Sequence, residues 1–359
     1  MNIYPIIIGF MAIFAVIGGI DHIFGNRLTL GAHFHEGIMA MGSLAVAMIG
    51  IICLSPVVAG VLKPVVVPLF SFLGADAAMF AGTILACDMG GGALALEMTA
   101  NPEAAMLGGV ITGSMMGATI VFTIPVALGI LEEEDLPVLA QGILCGIVTI
   151  PVGILVGGLV AGFPIGMVLK NLIPIVLIAG FISLGLWKAE KAMIQGFRRF
   201  GKGVTILITI GLIAAIVESL TGFVVIPGMA PIREGFETVG AIAIVLAGAF
   251  PLMFALTRLL EKPLMKLGRI LNINNTAAAG LITSLANSIA TFGMVKDMDH
   301  RGKVVNIAFA VSAAFVLGDH MGFTAGFAPQ MLVPMIIGKL TGGISAVFVA
   351  LIITKKDKD

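Results

Sequence analysis

Long apolar runs, separated by short polar stretches, follow one another along almost the whole chain. Runs of about 20 apolar residues match the length of a helix that crosses a membrane. We therefore predict an all-α polytopic membrane protein with 9 to 11 transmembrane segments. The predicted segments are 4–23, 37–62, 77–96, 104–130, 136–160, 167–187, 203–226, 239–260, 276–295, 303–325 and 330–353.

The basic loops predict how these segments cross the membrane, because cytoplasmic loops carry an excess of Lys and Arg. If every segment crosses and the C-terminal tail is cytoplasmic, the two richest basic loops face outside. If 77–96 and 276–295 are re-entrant hairpins instead, all four basic regions become cytoplasmic. Both segments are rich in small or polar residues, as irregular backbone buried at membrane depth requires. The basic regions are 188–202, 258–269, 296–303 and 355–359.

The chain also repeats itself weakly at an offset of 198 residues. Phe34–Glu36–Gly37 recurs as Ile232–Glu234–Gly235, and positions 34–84 share 12 identities among 51 at this offset. A chain so rich in a few apolar residue types would give roughly four or five such identities by chance. Duplicated halves are typical of transporters, whose substrate site lies between the repeats. With both hairpins re-entrant, the two halves have opposite orientations.

This repeat divides the chain into four predicted parts. Residues 1–160 form the first transmembrane repeat, and 203–354 form the second. A linking helix and a basic cytoplasmic loop at 161–202 join them, and 355–359 is a charged cytoplasmic tail.

Composition narrows the class of protein further. The chain has 359 residues, of which 59% are hydrophobic and 11% charged, with a mean hydropathy of +1.13. The first segment lacks a basic region and a cleavage site, so we read it as a retained helix. The net charge of +0 says nothing about partners, and we expect no nucleic-acid partner. The three cysteines stand singly without metal-ligand spacing, so we expect no metal and no cofactor. Membrane lipid is the general partner, and homo-oligomerisation stays open.

Asp88 is the strongest candidate for a binding residue. It lies about ten residues from either polar flank of its segment, where a carboxylate costs several kcal/mol unless it meets water, a partner or a cation. Gly90–Gly92 follow it and favour a helix break. Asn287 lies one residue beyond the equivalent position of the second repeat. We predict that Asp88 and Asn287 together hold one small polar cation; a structural carboxylate paired with a neighbouring helix is the alternative.

Asp319 and His320 form a second constellation, in the sequence FVLGDHMGF. We interpret them as part of the site or of a gate, with an interfacial role at a helix end as the alternative. Ser114 and Ser312 occupy matching positions of the two repeats. They are candidates to contact a substrate hydroxyl, and helix packing is their alternative role.

Four further charged residues are candidates for coupling or gating. Glu36 and Glu234 match between the repeats, each just before a helix that begins with glycine. A charge that complements the helix dipole is the simpler explanation for this pair. Glu218 and Lys339 could form a buried ion pair.

Four blocks of sequence are long and unusual: HEGIMAMGSLAVAMIG (35–50), MFAGTILACDMGG (79–91), GSMMGATIVFTIPVALGI (113–130) and GDHMGF (318–323). They resemble the EutH family, the ethanolamine permeases of the bacterial ethanolamine-utilisation system. The resemblance runs through both halves of the chain. It implies a carrier or facilitator, not an enzyme, that admits ethanolamine to the cytosol across the bacterial cytoplasmic (inner) membrane. It supplies no set of ligand residues.

Ethanolamine is mostly a protonated amino alcohol at neutral pH, which suits a buried carboxylate. Uptake could follow the membrane potential alone or be coupled to Na⁺ or H⁺. Three other readings stay open: a transporter of another small amine or ion, a non-transporting sensor or scaffold, and an intramembrane aspartyl protease. The protease would use Asp88 and Asp319, but Val316–Leu317–Gly318 lacks the first glycine of the expected Gly-x-Gly-Asp pattern.

Overall fold

The computed structural model describes residues 4–354, without the side chains of residues 4, 260–262, 264, 265 and 267. The described chain consists of helices and their connections, with no strand, which confirms the predicted all-α class. The predicted tail at 355–359 and the side chain of Lys262 lie outside the described residues.

Fifteen α-helices make up the described chain, and several are much longer than a membrane is thick. Among the described residues, seven helical stretches are long and apolar enough to cross a membrane, so the protein is a multi-pass membrane protein. The longest, α9, changes direction at Ala189, where the backbone leaves the helical region. The helices are α1 Tyr4–Ile23, α2 Leu30–Phe72, α3 Ala78–Ile84, α4 Gly91–Met98, α5 Pro102–Met106, α6 Ile124–Ile130, α7 Leu136–Ile147, α8 Ile150–Val160, α9 Ile165–Thr221, α10 Ile232–Leu271, α11 Asn275–Ala286, α12 Ser288–Met294, α13 His300–Ala313, α14 Asp319–Phe327 and α15 Leu332–Ile353.

The segment around Asp88 folds as a hairpin of two short helices, α3 and α4. The Thr99 hydroxyl donates a hydrogen bond of 2.7 Å to the carboxylate of Asp76, so the chain enters and leaves the hairpin at the same place. The turn between the helices ends at Gly90, whose φ of 92° lies in the left-handed region that favours glycine. Cys87 and Asp88 therefore lie at the tip of the hairpin.

The equivalent segment of the second half, α11 and α12, folds in the same way. The side chain of Asn274 donates a 3.0 Å hydrogen bond to the carbonyl of Asp297, and its backbone N–H donates to Asp299 at 2.7 Å. Asn274 is the counterpart of Asp76 at the offset of 198 residues. The helix break falls at Asn287, whose backbone is extended.

The helical stretch that follows the first hairpin is wider than an α-helix, because it contains π-helical turns between α5 and α6. These turns span Leu107–Gly117 and Thr119–Thr123. Glycines bring the hairpin backbone directly onto it: a Cβ atom at Gly82 would overlap Gly108, and one at Gly117 would overlap the carbonyl of Leu85.

The predicted span 303–325 is not one helix, which corrects the sequence analysis. Helix α13 ends at Ala313, and α14 begins only at Asp319. In between, the N–H groups of Phe315 and Leu317 donate to the carbonyls of Ser284 and Leu285, at 3.1 and 2.9 Å. The end of α11 thus supplies the acceptors that an unwound backbone needs at membrane depth.

Helices α2 and α10 form the central pair and run antiparallel. Gly37 packs against Leu246, and Gly235, its match in the second half, packs against Ile49. The carbonyl of Cys53 accepts a 2.8 Å hydrogen bond from the N–H of Ala230. As the residue number increases along α2, the residue number of the contact on α10 decreases, as expected for antiparallel helices.

Two further helices contact this pair: α1 packs on α10, and α9 packs on α2. Gly50 faces Ile208 of α9, while Gly248, its match at the offset, faces Met11 of α1. The two matched glycines therefore have the same packing role, each against a different helix.

Candidate functional site

Asp88 and His320 meet where the tip of the first hairpin faces the start of α14. The Asp88 carboxylate lies 3.7 Å from His320 Nε2, and the histidine is 3% exposed. The Cys87 thiol donates a long hydrogen bond of 4.0 Å to this carboxylate, and no other described side chain donates to it. His320 Nδ1 is also buried without a partner among the described residues. The carboxylate is therefore available to a cation that enters the site.

A cavity of about 200 Å³ adjoins Asp88, and we name it the central cavity. Two phenyl rings in its wall, Phe122 and Phe315, have centroids 5.3 Å apart, and Phe315 lies 5.4 Å from the His320 ring. A phenyl face attracts an ammonium group. The lining residues are Ser43, Leu44, Ala47, Ala86, Asp88, Met89, Ala118, Phe122, Phe315, Asp319 and His320.

A second cavity, of about 240 Å³, reaches the surface at Glu36, and we name it the Glu36 cavity. Glu36 accepts a 3.0 Å contact from His33 and is 63% exposed. Asp319 lines both cavities, so its carboxylate lies between them. The lining residues are His33, Glu36, Phe250, Met253, Phe254, Thr257, Ala286, Asn287, Leu317, Gly318 and Asp319.

The two cavities lie one after the other along α2. The Glu36 cavity comes first, and the central cavity follows at Ser43–Ala47. Beyond it, a tightly packed apolar cluster borders a gap of about 40 Å³. The central cavity thus adjoins the Glu36 cavity at Asp319 and the apolar cluster on its other side. The apolar cluster consists of Leu44, Met48, Ile49, Cys53, Cys87, Ala215, Val239, Ile242, Leu246 and Phe323.

The structure brings together three residues that the sequence analysis singled out, Asp88, Asp319 and His320. Asp319 is the first residue of α14, so the pair lies at a helix end, and His320 is buried in the protein. Asn287 lines the Glu36 cavity instead, and the predicted shared site of Asp88 and Asn287 is not formed. The two hairpin tips fall in different cavities because the unwound segment before Asp319 lies between them.

Ser114 and Ser312, which were predicted to contact substrate, line neither of these two cavities. Ser114 Oγ donates to the carbonyl of Ile111 at 3.0 Å, within its own helix. Ser312 is fully buried against α15 at Gly342. Both serines serve helix packing, and Ser43 of α2 is the serine that lines the central cavity.

Lys339 and Glu218 do not form the ion pair considered above. Lys339 is buried in α15 and donates to the backbone carbonyl of Ser114, whereas Glu218 lies half-buried on α9. Glu234 lies in the first turn of α10, where the helix-dipole explanation places it. Glu36 does not, because α2 begins at Leu30.

Cys87, Asp88 and His320 could hold a metal ion, since their donor atoms all lie within 4.8 Å of one another. The sequence analysis missed this group because His320 is far from the other two along the chain. The charge of Lys339 acts on both Cys87 and Asp88, which opposes a divalent cation there. The analysis also missed Phe122 and Phe315, since phenylalanine is common in membrane helices and nothing set these two apart.

Long apolar helices around two broken hairpins, with carboxylates in internal cavities, define a multi-pass membrane protein of the transporter class. The family described as "Ethanolamine utilisation protein, EutH" matches residues 3–353. The chain belongs to this family, and it is a transporter rather than an enzyme, which removes the protease reading.

Curated relatives match over nearly their whole length. A Listeria monocytogenes protein named "Probable ethanolamine permease EutH" is 60% identical over 351 residues, covering 98% of this chain and 94% of the relative. A Salmonella typhimurium protein of the same name is 48% identical over 395 residues, with 99% and 97% covered. The Bacillus subtilis protein YxeR is 51% identical over 346 residues, with 96% and 94% covered. No solved structure matches the chain.

Proposed function

We propose that this protein is a permease that carries protonated ethanolamine into the cytoplasm and binds its ammonium group at Asp88. The observation that carries the proposal is the buried Asp88 carboxylate, which lines a cavity and has no hydrogen-bonding side chain within 3.5 Å. Such a charge is stable at membrane depth only when a cation or another partner meets it. The names of the relatives support ethanolamine as that cation.

The lining of the central cavity fits a small amino alcohol. A primary ammonium can donate three hydrogen bonds, and the carboxylates of Asp88 and Asp319 are acceptors in the cavity wall. The phenyl faces favour the cation further. Ser43 donates its own hydroxyl proton to the carbonyl of Ala40 at 2.9 Å, so its oxygen can accept a bond from the substrate hydroxyl.

We further infer that the two halves are inverted repeats with re-entrant hairpins. The antiparallel packing of the equivalent helices α2 and α10 supports this, as do the meeting ends of each hairpin. The Lys303 ammonium lies 2.6 Å from Asp135. If all eleven predicted segments crossed the membrane, these two residues would lie on opposite sides.

The basic regions also cluster at one end of the molecule, which we assign to the cytoplasm. Arg198 donates to the carbonyl of Leu128 at 3.2 Å, seven residues before Asp135. Arg258 lies over the ring of Phe254, at 5.0 Å, and that ring packs against His33. The Glu36 cavity then opens to the cytoplasm, and the apolar cluster closes the outer side. We propose that the opposite arrangement alternates with this one.

The membrane potential is sufficient to drive such uptake. Each 100 mV of inside-negative potential supplies ~2.3 kcal/mol to a monovalent cation. That corresponds to roughly fifty-fold accumulation. Coupling to Na⁺ or H⁺ would add to this gradient.

Uptake of labelled ethanolamine into proteoliposomes tests the proposal, at mildly acidic external pH with an imposed potassium diffusion potential. Saturable uptake above empty liposomes is expected, with weaker competition from ethylamine, which lacks the hydroxyl, and from choline, which cannot donate from its nitrogen. No uptake above empty liposomes would exclude ethanolamine as the substrate. Stronger competition by another amine or an inorganic cation would favour the alternative, a transporter of that ion.

A further inference from the structure

Lys339 places a positive charge in the interior of the protein, beside the tip of the first hairpin. Its side chain is 1% exposed, and its ammonium donates to the Ser114 carbonyl in the wide helical segment. Gly113, the neighbour of Ser114, packs against Cys87. Among the described residues, no carboxylate lies within 4.0 Å of Lys339 Nζ. The negative charges that act on it are those of Cys87 and Asp88 at the tip of the hairpin.

The charges around the central cavity do not balance. Asp88 and Asp319 line the cavity, and Asp319 also interacts with Asp88. Against these two carboxylates stand the ammonium of Lys339 and the imidazole of His320. When both carboxylates and the ammonium are charged and the imidazole is neutral, one negative charge is left over. An uncompensated charge at this depth is costly, so one monovalent cation completes the site.

We propose that Lys339 is a built-in cation that takes the place of a coupling ion, so that a single ethanolamine cation crosses without Na⁺ or H⁺. This inference rests on the proposed function above. Without the ammonium of Lys339, the two carboxylates would need a second cation besides the substrate. The lysine offsets one carboxylate, and because it is part of α15 it is not released with the substrate. Each transported ethanolamine then carries one net charge.

The reversal potential of ethanolamine flux in proteoliposomes tests this stoichiometry. In Na⁺-free buffer with equal pH on both sides, a tenfold ethanolamine gradient should be balanced by about 59 mV, the value for one charge. A value near 30 mV would indicate a second co-transported charge. That result, or a requirement for Na⁺, would overturn the proposal, as would flux that ignores the potential.

Substitution of the lysine tests its role directly. Lys339→Met removes the charge, Lys339→Arg keeps it, and Lys63→Met changes an exposed lysine of α2 as the matched control. Transport by Lys339→Met should acquire dependence on a Na⁺ or proton gradient, and its reversal potential should move towards 30 mV. Lys63→Met and Lys339→Arg should keep the wild-type value. A Lys339→Met protein that still transports one charge, independently of both gradients, would refute the proposal.

If Lys339→Met is folded but does not transport, equilibrium binding of labelled ethanolamine to the solubilised protein decides the matter. Binding to the variant should require added Na⁺ or a lower pH, and wild-type binding should not change across the same range. Equal salt and pH dependence in both proteins would overturn the role of Lys339. Wild-type protein that binds no ethanolamine in any buffer would refute the proposed function itself, which is a separate result.

Discussion

The replacement of Asp88 by asparagine is the most direct test of the site. Asparagine has the same size, so the tip of the hairpin keeps its packing while it loses its charge. The side chain of Asp88 is 15% exposed and has no hydrogen-bonding side chain within 3.5 Å, so a bound ammonium would be its principal partner. A hydrogen bond between charged groups contributes about 1.5–3 kcal/mol. We therefore expect the Kd for ethanolamine to rise roughly 10- to 150-fold.

This Kd is measured by equilibrium binding of labelled ethanolamine to detergent-solubilised protein, and uptake into proteoliposomes should fall in parallel. Glu103→Gln is the matched control, because it also replaces a carboxylate by an amide, but at an exposed position. A folded Asp88→Asn protein whose Kd stays within about threefold of wild type would refute the reasoning, since that is less than 0.7 kcal/mol. Asp88 would then be a structural residue.

Three further predictions concern the architecture. Thr99→Val removes the hydrogen bond that joins the two ends of the first hairpin, which should lower the free energy of unfolding by about 1.5–3 kcal/mol. The thermal midpoint in detergent should therefore fall. An unchanged midpoint would show that other contacts hold the hairpin. Gly117→Ala should destabilise the protein by about 1–3 kcal/mol through overpacking, whereas Gly129→Ala, which meets no atom within 4 Å, should be neutral in the same unfolding assay. The native cysteines are buried, so cysteines introduced at Asp297 and Glu103 can be labelled selectively with an impermeant maleimide; we expect labelling from the cytoplasm and from outside respectively, and labelling of both from one side would contradict the inverted topology.

Much of the architecture could be predicted because its signals are local. An apolar run of about 20 residues indicates a membrane helix wherever it occurs. The glycines after Asp88 and the polar residues near Asn287 marked the two segments that fold as broken hairpins. Asp88 itself stood out because a carboxylate within an apolar run needs a partner.

Other features depend on neighbours that are distant along the chain. The unwound stretch before Asp319 reads as part of an ordinary apolar helix, and it opens because the end of α11 accepts its hydrogen bonds. Ser114 looked like a ligand, yet its hydroxyl bonds within its own helix while its carbonyl meets Lys339. Matching positions in a repeat do not reveal which carbonyl a distant side chain reaches.

The sequence by itself determined the class of the protein, its family and the position of the buried carboxylate. Those properties follow from composition, the length of apolar runs and recognisable blocks of sequence. Only the tertiary structure decided that Asp88 and Asn287 lie in different cavities and that Asp319 lines both of them. These features depend on how the helices pack together, and packing is set by contacts between residues that are far apart along the chain.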